Sequence, residues 1–184
     1  MSPDEAKLLL TLPVPFLIFR AVFGATVRRS VVLFILAGGT GFLAQIPLGP
    51  ELNRYTPNIT VYIFHVSLAV TITWGIGLTS VYLAQLRVAR LLRITPGLGL
   101  YCTVAAPILI LIELIGSNFI HMKLHNFAVY DALIPHAMNA PPWLYGYYAV
   151  IATVFYFGAQ KLDSKSGKSS NAGASKTASE GEAR

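Results

Sequence analysis

The stretch GLGLYCTVAAPILILIELIGSNFI, Gly97 to Ile120, decides the fold. As a helix it is long enough to cross a hydrocarbon core of about 30 Å. It carries one charge, Glu113, set in Leu-Ile-Glu-Leu-Ile with no basic neighbour. A carboxylate at that depth costs ~2.5–3.5 kcal/mol on insertion scales, which makes Glu113 a functional-site candidate whose partner must be sought.

The rest of the chain repeats the pattern. Of its 184 residues 54% are hydrophobic and only 12% charged, about half the charged fraction of an ordinary soluble domain. Four further apolar stretches run from Leu8 to Val27, Val31 to Leu48, Val61 to Leu83 and Trp143 to Ala159. The expected fold class is therefore all-α: an integral membrane helical bundle of five apolar segments, four of them transmembrane spans. The first segment is open, because Pro13 and Pro15 would kink it and Arg20 would have to snorkel. Ser2-Pro3-Asp4-Glu5 reads as a capping box at its start. In the second, Gly38-Gly39-Thr40-Gly41 offers a surface that another helix can approach closely. Trp143, Tyr145, Tyr147 and Tyr148 form an aromatic belt at the start of the last.

The net charge of +6 sits in flanks and not in a nucleic-acid-binding patch. No partner of that kind is expected. Arg28 and Arg29, then Arg87, Arg90 and Arg93, then Lys161, Lys165, Lys168 and Lys176 all fall on one side if the four spans cross. The opposite loops hold only Arg54 and Lys123. The positive-inside rule puts the C-terminus in the cytosol, with the endoplasmic reticulum the default membrane. The three arginines after the third segment are expected to meet anionic headgroups. A membrane-embedded domain over 1–162 is followed by residues 163–184. These are rich in Ser, Gly, Ala and Lys, lack large apolar side chains, and are expected to be a disordered tail.

A single cysteine, Cys102, excludes an internal disulfide and a Cys-rich zinc site, and is expected to be a buried structural thiol. Stepping by four from Glu113 gives Ser117, His121 and His125, a polar stripe toward the non-cytosolic surface. Asn118 lies beside it, and Asp131 and His136 follow. On the third segment His65 would enter the membrane from the same face at a similar depth, with Tyr62 one turn above. Facing helices would then join His65 and Glu113. Burial favours the neutral forms of both groups, so a neutral Glu113 can give a proton to an alkene, epoxide or carbonyl while His65 accepts one.

These residues predict a membrane enzyme that isomerises or cyclises a lipophilic, sterol-like or terpenoid substrate arriving from the bilayer. Glu113 and His65 would be catalytic, and Tyr62, Ser117, Asn118 and His121 would bind substrate. No cofactor or metal is expected. His121 and His125 have a ligand-like spacing, but position 122 is Met where a His-Glu-x-x-His zinc site needs Glu. Two rival readings accompany this one. In the first, Glu113 only bonds a neighbouring helix and the chain is an accessory or scaffold subunit of a membrane-protein complex. In the second the chain is a transporter or proton pathway that uses Glu113 as an ion relay, with Thr71, Thr73 and Ser80 completing the path.

Overall fold

A computed structural model describes residues 1–49, 59–119 and 142–181. The chain is mostly helical. Three helices are long and apolar enough to cross a membrane: Val27–Leu48, Leu68–Leu92 and Leu98–Gly116. That is compatible with an integral membrane protein.

Helix α1 (Pro3–Thr11) begins as the sequence dictates. The Ser2 hydroxyl accepts from the Glu5 N–H at 3.1 Å while Glu5 Oε2 accepts from the Ser2 N–H at 2.8 Å. Pro13 has no N–H to continue the ladder, so the helix breaks at Leu12 and restarts as α2 (Pro13–Ala21). Gly24, at φ +67°, turns the chain. Thr26 then caps α3 (Val27–Gln45), accepting from the Arg29 N–H at 3.3 Å. A 3-10 turn over Ile46–Leu48 follows.

The third apolar segment differs from the expectation of a helix from Val61. Tyr62–Ile63 (β1) pairs antiparallel with Val66–Ser67 (β2). The turn between them is Phe64-His65, both at positive φ (46° and 58°), the backbone of a type I′ hairpin. The run Thr-Val-Tyr-Ile-Phe over residues 60–64 is β-branched and aromatic, and it suits a strand better than a helix start. The helix begins only where Ser67 can cap it: α4 is Leu68–Leu92, with the Ser67 hydroxyl accepting from the Val70 N–H at 3.3 Å. At its far end Arg93 adopts the left-handed conformation, ahead of Thr95-Pro96. Helix α5 is Leu98–Phe119 and α6 is Pro142–Gly181.

Helix α4 is the centre of the bundle, with 67% of its apolar stretch buried against 11% for α5. The glycines of α3 set the spacing. A Cβ on Gly41 would stand 2.5 Å from Trp74 Cγ, and one on Gly38 would stand 3.2 Å from the Thr71 carbonyl. Gly75 of α4 returns the fit by receiving Phe34. The close approach predicted for this glycine cluster is therefore present, between α3 and α4. Gly39, in the same run, faces open space.

One expectation about side-chain placement needs correction. Cys102 is exposed, not buried, because α5 packs along one side only and Tyr101, at 1% exposure, takes the inward position. Tyr101 thereby leaves its neighbour on the outer face of α5.

Candidate functional site

Two clusters of polar side chains tie the elements together, one at each end of the bundle. The first is built on Glu5, which is 4% exposed. Besides the Ser2 N–H, its carboxylate accepts from the Thr60 N–H (2.8 Å), the Thr60 hydroxyl (2.6 Å) and the Val61 N–H (2.8 Å). Burial pushes this carboxyl up. The Thr60 hydroxyl and the N–H groups of Ser2, Val61 and Thr60 together pull harder the other way, and hold it at about 2. The start of α1 is thus fixed to the segment entering β1. A small cleft between Met1, Leu8 and Leu9 on one wall and Val61, Leu68 and Ile72 on the other adjoins it.

The second cluster lies at the opposite end. Asp163 Oδ2 accepts from Arg29 Nη2 at 2.6 Å and from the Tyr82 hydroxyl at 2.9 Å, joining α3, α4 and α6. The Tyr82 ring meets Phe155 and Tyr156, and Tyr156 in turn lies 4.9 Å from Tyr101 between ring centroids. Gln85 Nε2 donates to the Gly97 carbonyl at 2.9 Å, holding the start of α5 against α4. Sequence reasoning missed both clusters. Local spacing marks Glu5 only as a cap and Asp163 only as the start of a polar stretch, because the partners of both lie far away in the chain.

Of the predicted site residues, Tyr62 and His65 belong to the hairpin at the Glu5 end, and Glu113 lies in the last third of α5. Glu113 is half-buried on α5 and accepts a hydrogen bond from the Tyr145 hydroxyl of α6 at 3.0 Å. Tyr145 packs edge-on against Tyr148 (5.9 Å between centroids), which packs edge-on against Trp74 of α4 (5.0 Å). The partner sought for Glu113 therefore includes a phenol that the sequence reading had placed in an interfacial belt. Tyr147, its neighbour in that belt, donates to the Ala44 carbonyl at the end of α3.

His65 is not on a helix. It occupies the hairpin turn, and its Nε2 lies 2.9 Å from the Ile46 carbonyl. Tyr62 is on β1 and exposed, so the two are not stacked one helical turn apart. Asn118 is exposed on α5 and donates to the Leu114 carbonyl at 2.7 Å. Ser117 belongs to α5, one turn after Glu113. His121, His125, Asp131 and His136 lie outside the described residues. The hydroxyls of Thr71, Thr73 and Ser80 each donate to a carbonyl four residues back in the chain.

No protein-family model matches this chain, and no curated protein or solved structure is detectably similar to it.

Proposed function

We propose that this chain is a small multi-pass membrane enzyme that carries out acid–base chemistry, isomerisation or cyclisation, on a lipophilic sterol-like or terpenoid substrate. The observation that carries the proposal is the 3.0 Å bond from Tyr145 to Glu113, which joins two apolar helices beside the Tyr148–Trp74 pair. In its neutral form the Glu113 carboxyl gives a proton to an alkene, epoxide or carbonyl. A neighbouring carbon then loses a proton to the site, so the reaction needs no other reactant. Tyr145 orients the carboxyl, and the aromatic rings offer an apolar wall with electron-rich faces to a developing cation. His65, on its hairpin, takes the part of a second acid–base group where the substrate enters.

The chain would lie in the endoplasmic reticulum membrane with its five apolar segments crossing and the C-terminus cytosolic. Support for a crossing first segment comes from its two ends. Glu5 is bonded at the level of Thr60, and the chain that leaves α2 reaches Arg29 beside Asp163. The N-terminus would then be on the non-cytosolic side.

The proposal is tested by expressing the wild type and Glu113→Gln in membranes at matched abundance and monodispersity, then comparing lipid-soluble metabolites by mass spectrometry. A product made only by the wild type is expected. Identical profiles would reject the enzyme. They would leave the second reading, an accessory subunit, which the largely uncovered apolar face of α5 favours.

A further inference from the structure

Among the described residues, the Arg29 end of the bundle holds an excess of positive charge. Arg28 precedes the Arg29–Asp163 pair, and Lys161 lies two residues before Asp163. Arg87 and Arg90 extend α4 beyond Tyr82, and Arg93 ends it. All five are exposed. Among the described residues the only ion pairs are Lys7–Asp4, near the Glu5 end, and Arg29–Asp163. Asp163 at the Arg29 end is already held by Arg29 and Tyr82. The Arg90 guanidinium does donate from Nε to the Leu86 carbonyl at 3.3 Å. Arginines at the last turn of a helix also favour its dipole. Neither interaction cancels a full charge.

The apolar surroundings narrow the choice of partner. Leu91, Leu92 and Ile94 alternate with these arginines and are 67%, 62% and 48% exposed. All three membrane-length helices have an end here, at Val27, Leu92 and Leu98. Exposed arginines alternating with exposed aliphatic side chains, at the ends of apolar helices, fit the boundary between acyl chains and headgroups. There the aliphatic groups enter the bilayer and the guanidinium groups meet phosphate and carboxylate.

We propose that this collar binds anionic phospholipid headgroups, with Arg87, Arg90 and Arg93 as its core. Guanidinium forks match phosphate oxygens two at a time. Each basic residue near an anionic surface raises association by about five-fold at most.

The test uses the full chain reconstituted in phosphatidylcholine bilayers, with spin-labelled phosphatidylserine or phosphatidylcholine as the probe. The immobilised fraction of each gives their relative association with the protein. Selectivity for phosphatidylserine of several-fold is expected in the wild type, falling as salt is raised. It should disappear in the R87Q/R90Q/R93Q variant and persist at reduced strength in R87K/R90K/R93K. A wild type without preference, or a preference indifferent to salt, would overturn the proposal. So would an equal preference in a folded R87Q/R90Q/R93Q protein, which would indicate that the collar faces something other than lipid. The salt titration of the wild type decides the matter even where that variant does not fold.

Discussion

The two ends of the bundle solve the same problem by different physics. Each must fasten elements far apart in sequence: Glu5 to Thr60 and Val61 at one end, Arg29 to Asp163 and Tyr82 at the other. At the first end a nearly buried carboxylate is surrounded by N–H and O–H donors. The Thr60 hydroxyl and the peptide N–H groups of Ser2, Val61 and Thr60 hold its charged form, which is why its proton is so easily lost. At the second end a carboxylate and a guanidinium, each about a third exposed (34% and 36%), face each other with water nearby. Exposed ion pairs contribute little, while bonds from N–H and O–H donors to a buried charged acceptor contribute more. The Glu5 end is therefore the more strongly fastened one. The Arg29 end is a charged surface held together mainly by its rings, Tyr82, Phe155, Tyr156 and Tyr101.

The largest effect belongs to the Glu113 site. Glu113→Gln is expected to lower product formation by about 10²–10⁴-fold, the usual weight of a general acid, with little change in melting temperature. Tyr145→Phe should lower it less, because the carboxyl remains and loses only an orienting bond. Product ratios by mass spectrometry distinguish the two.

Next comes Glu5→Gln. The neutral amide cannot hold all four donors, and a loss of about 3 kcal/mol is expected. In a protein of this size each kcal/mol is about 2–4 °C in Tm. The same number appears in a pH titration. Because the folded carboxyl titrates at about 2 and its ordinary value is 4.5, its stabilisation is complete above pH ~4.5. It drains away as pH falls toward 2. Thermal unfolding in detergent across that range should show wild type and E5Q converging at low pH. Parallel curves would refute the role given to Glu5.

Gly41 and Gly39 provide a comparison within α3. Gly41→Ala drives a methyl into Trp74 and should cost about 1–3 kcal/mol. Gly39→Ala meets nothing and should be neutral or gain up to about 1 kcal/mol from helix propensity. The smallest effect is expected at the Arg29 end, where Asp163→Asn should cost about 1 kcal/mol or less. A loss at Asp163 equal to that at Glu5 would erase the distinction between the two ends.

Much of the fold is legible along the chain because it depends on neighbours. The capping box at Ser2 and Glu5, the break at Pro13 and the stop before Pro96 are all set within a turn of the residues that cause them. The hairpin at residues 62–67 was legible too, in its β-branched run and in Ser67. It was hidden by reading apolar length alone, which does not separate a strand from a helix. The Glu113 carboxylate stands out in the sequence, but its bond to Tyr145 spans 32 positions and depends on how α5 and α6 are rotated.

By itself the sequence determined that this chain is helical, with apolar helices of membrane length, and that one of them carries a lone acid. Hydropathy and backbone hydrogen bonding are local, and they suffice for that. Only the tertiary structure decided which partners the polar groups take. His65 turns to the Ile46 carbonyl, Glu5 to Thr60, Asp163 to Arg29, and Glu113 to a tyrosine. A directional bond forms only where packing brings donor and acceptor within about 3 Å, and no spacing along the chain encodes that distance.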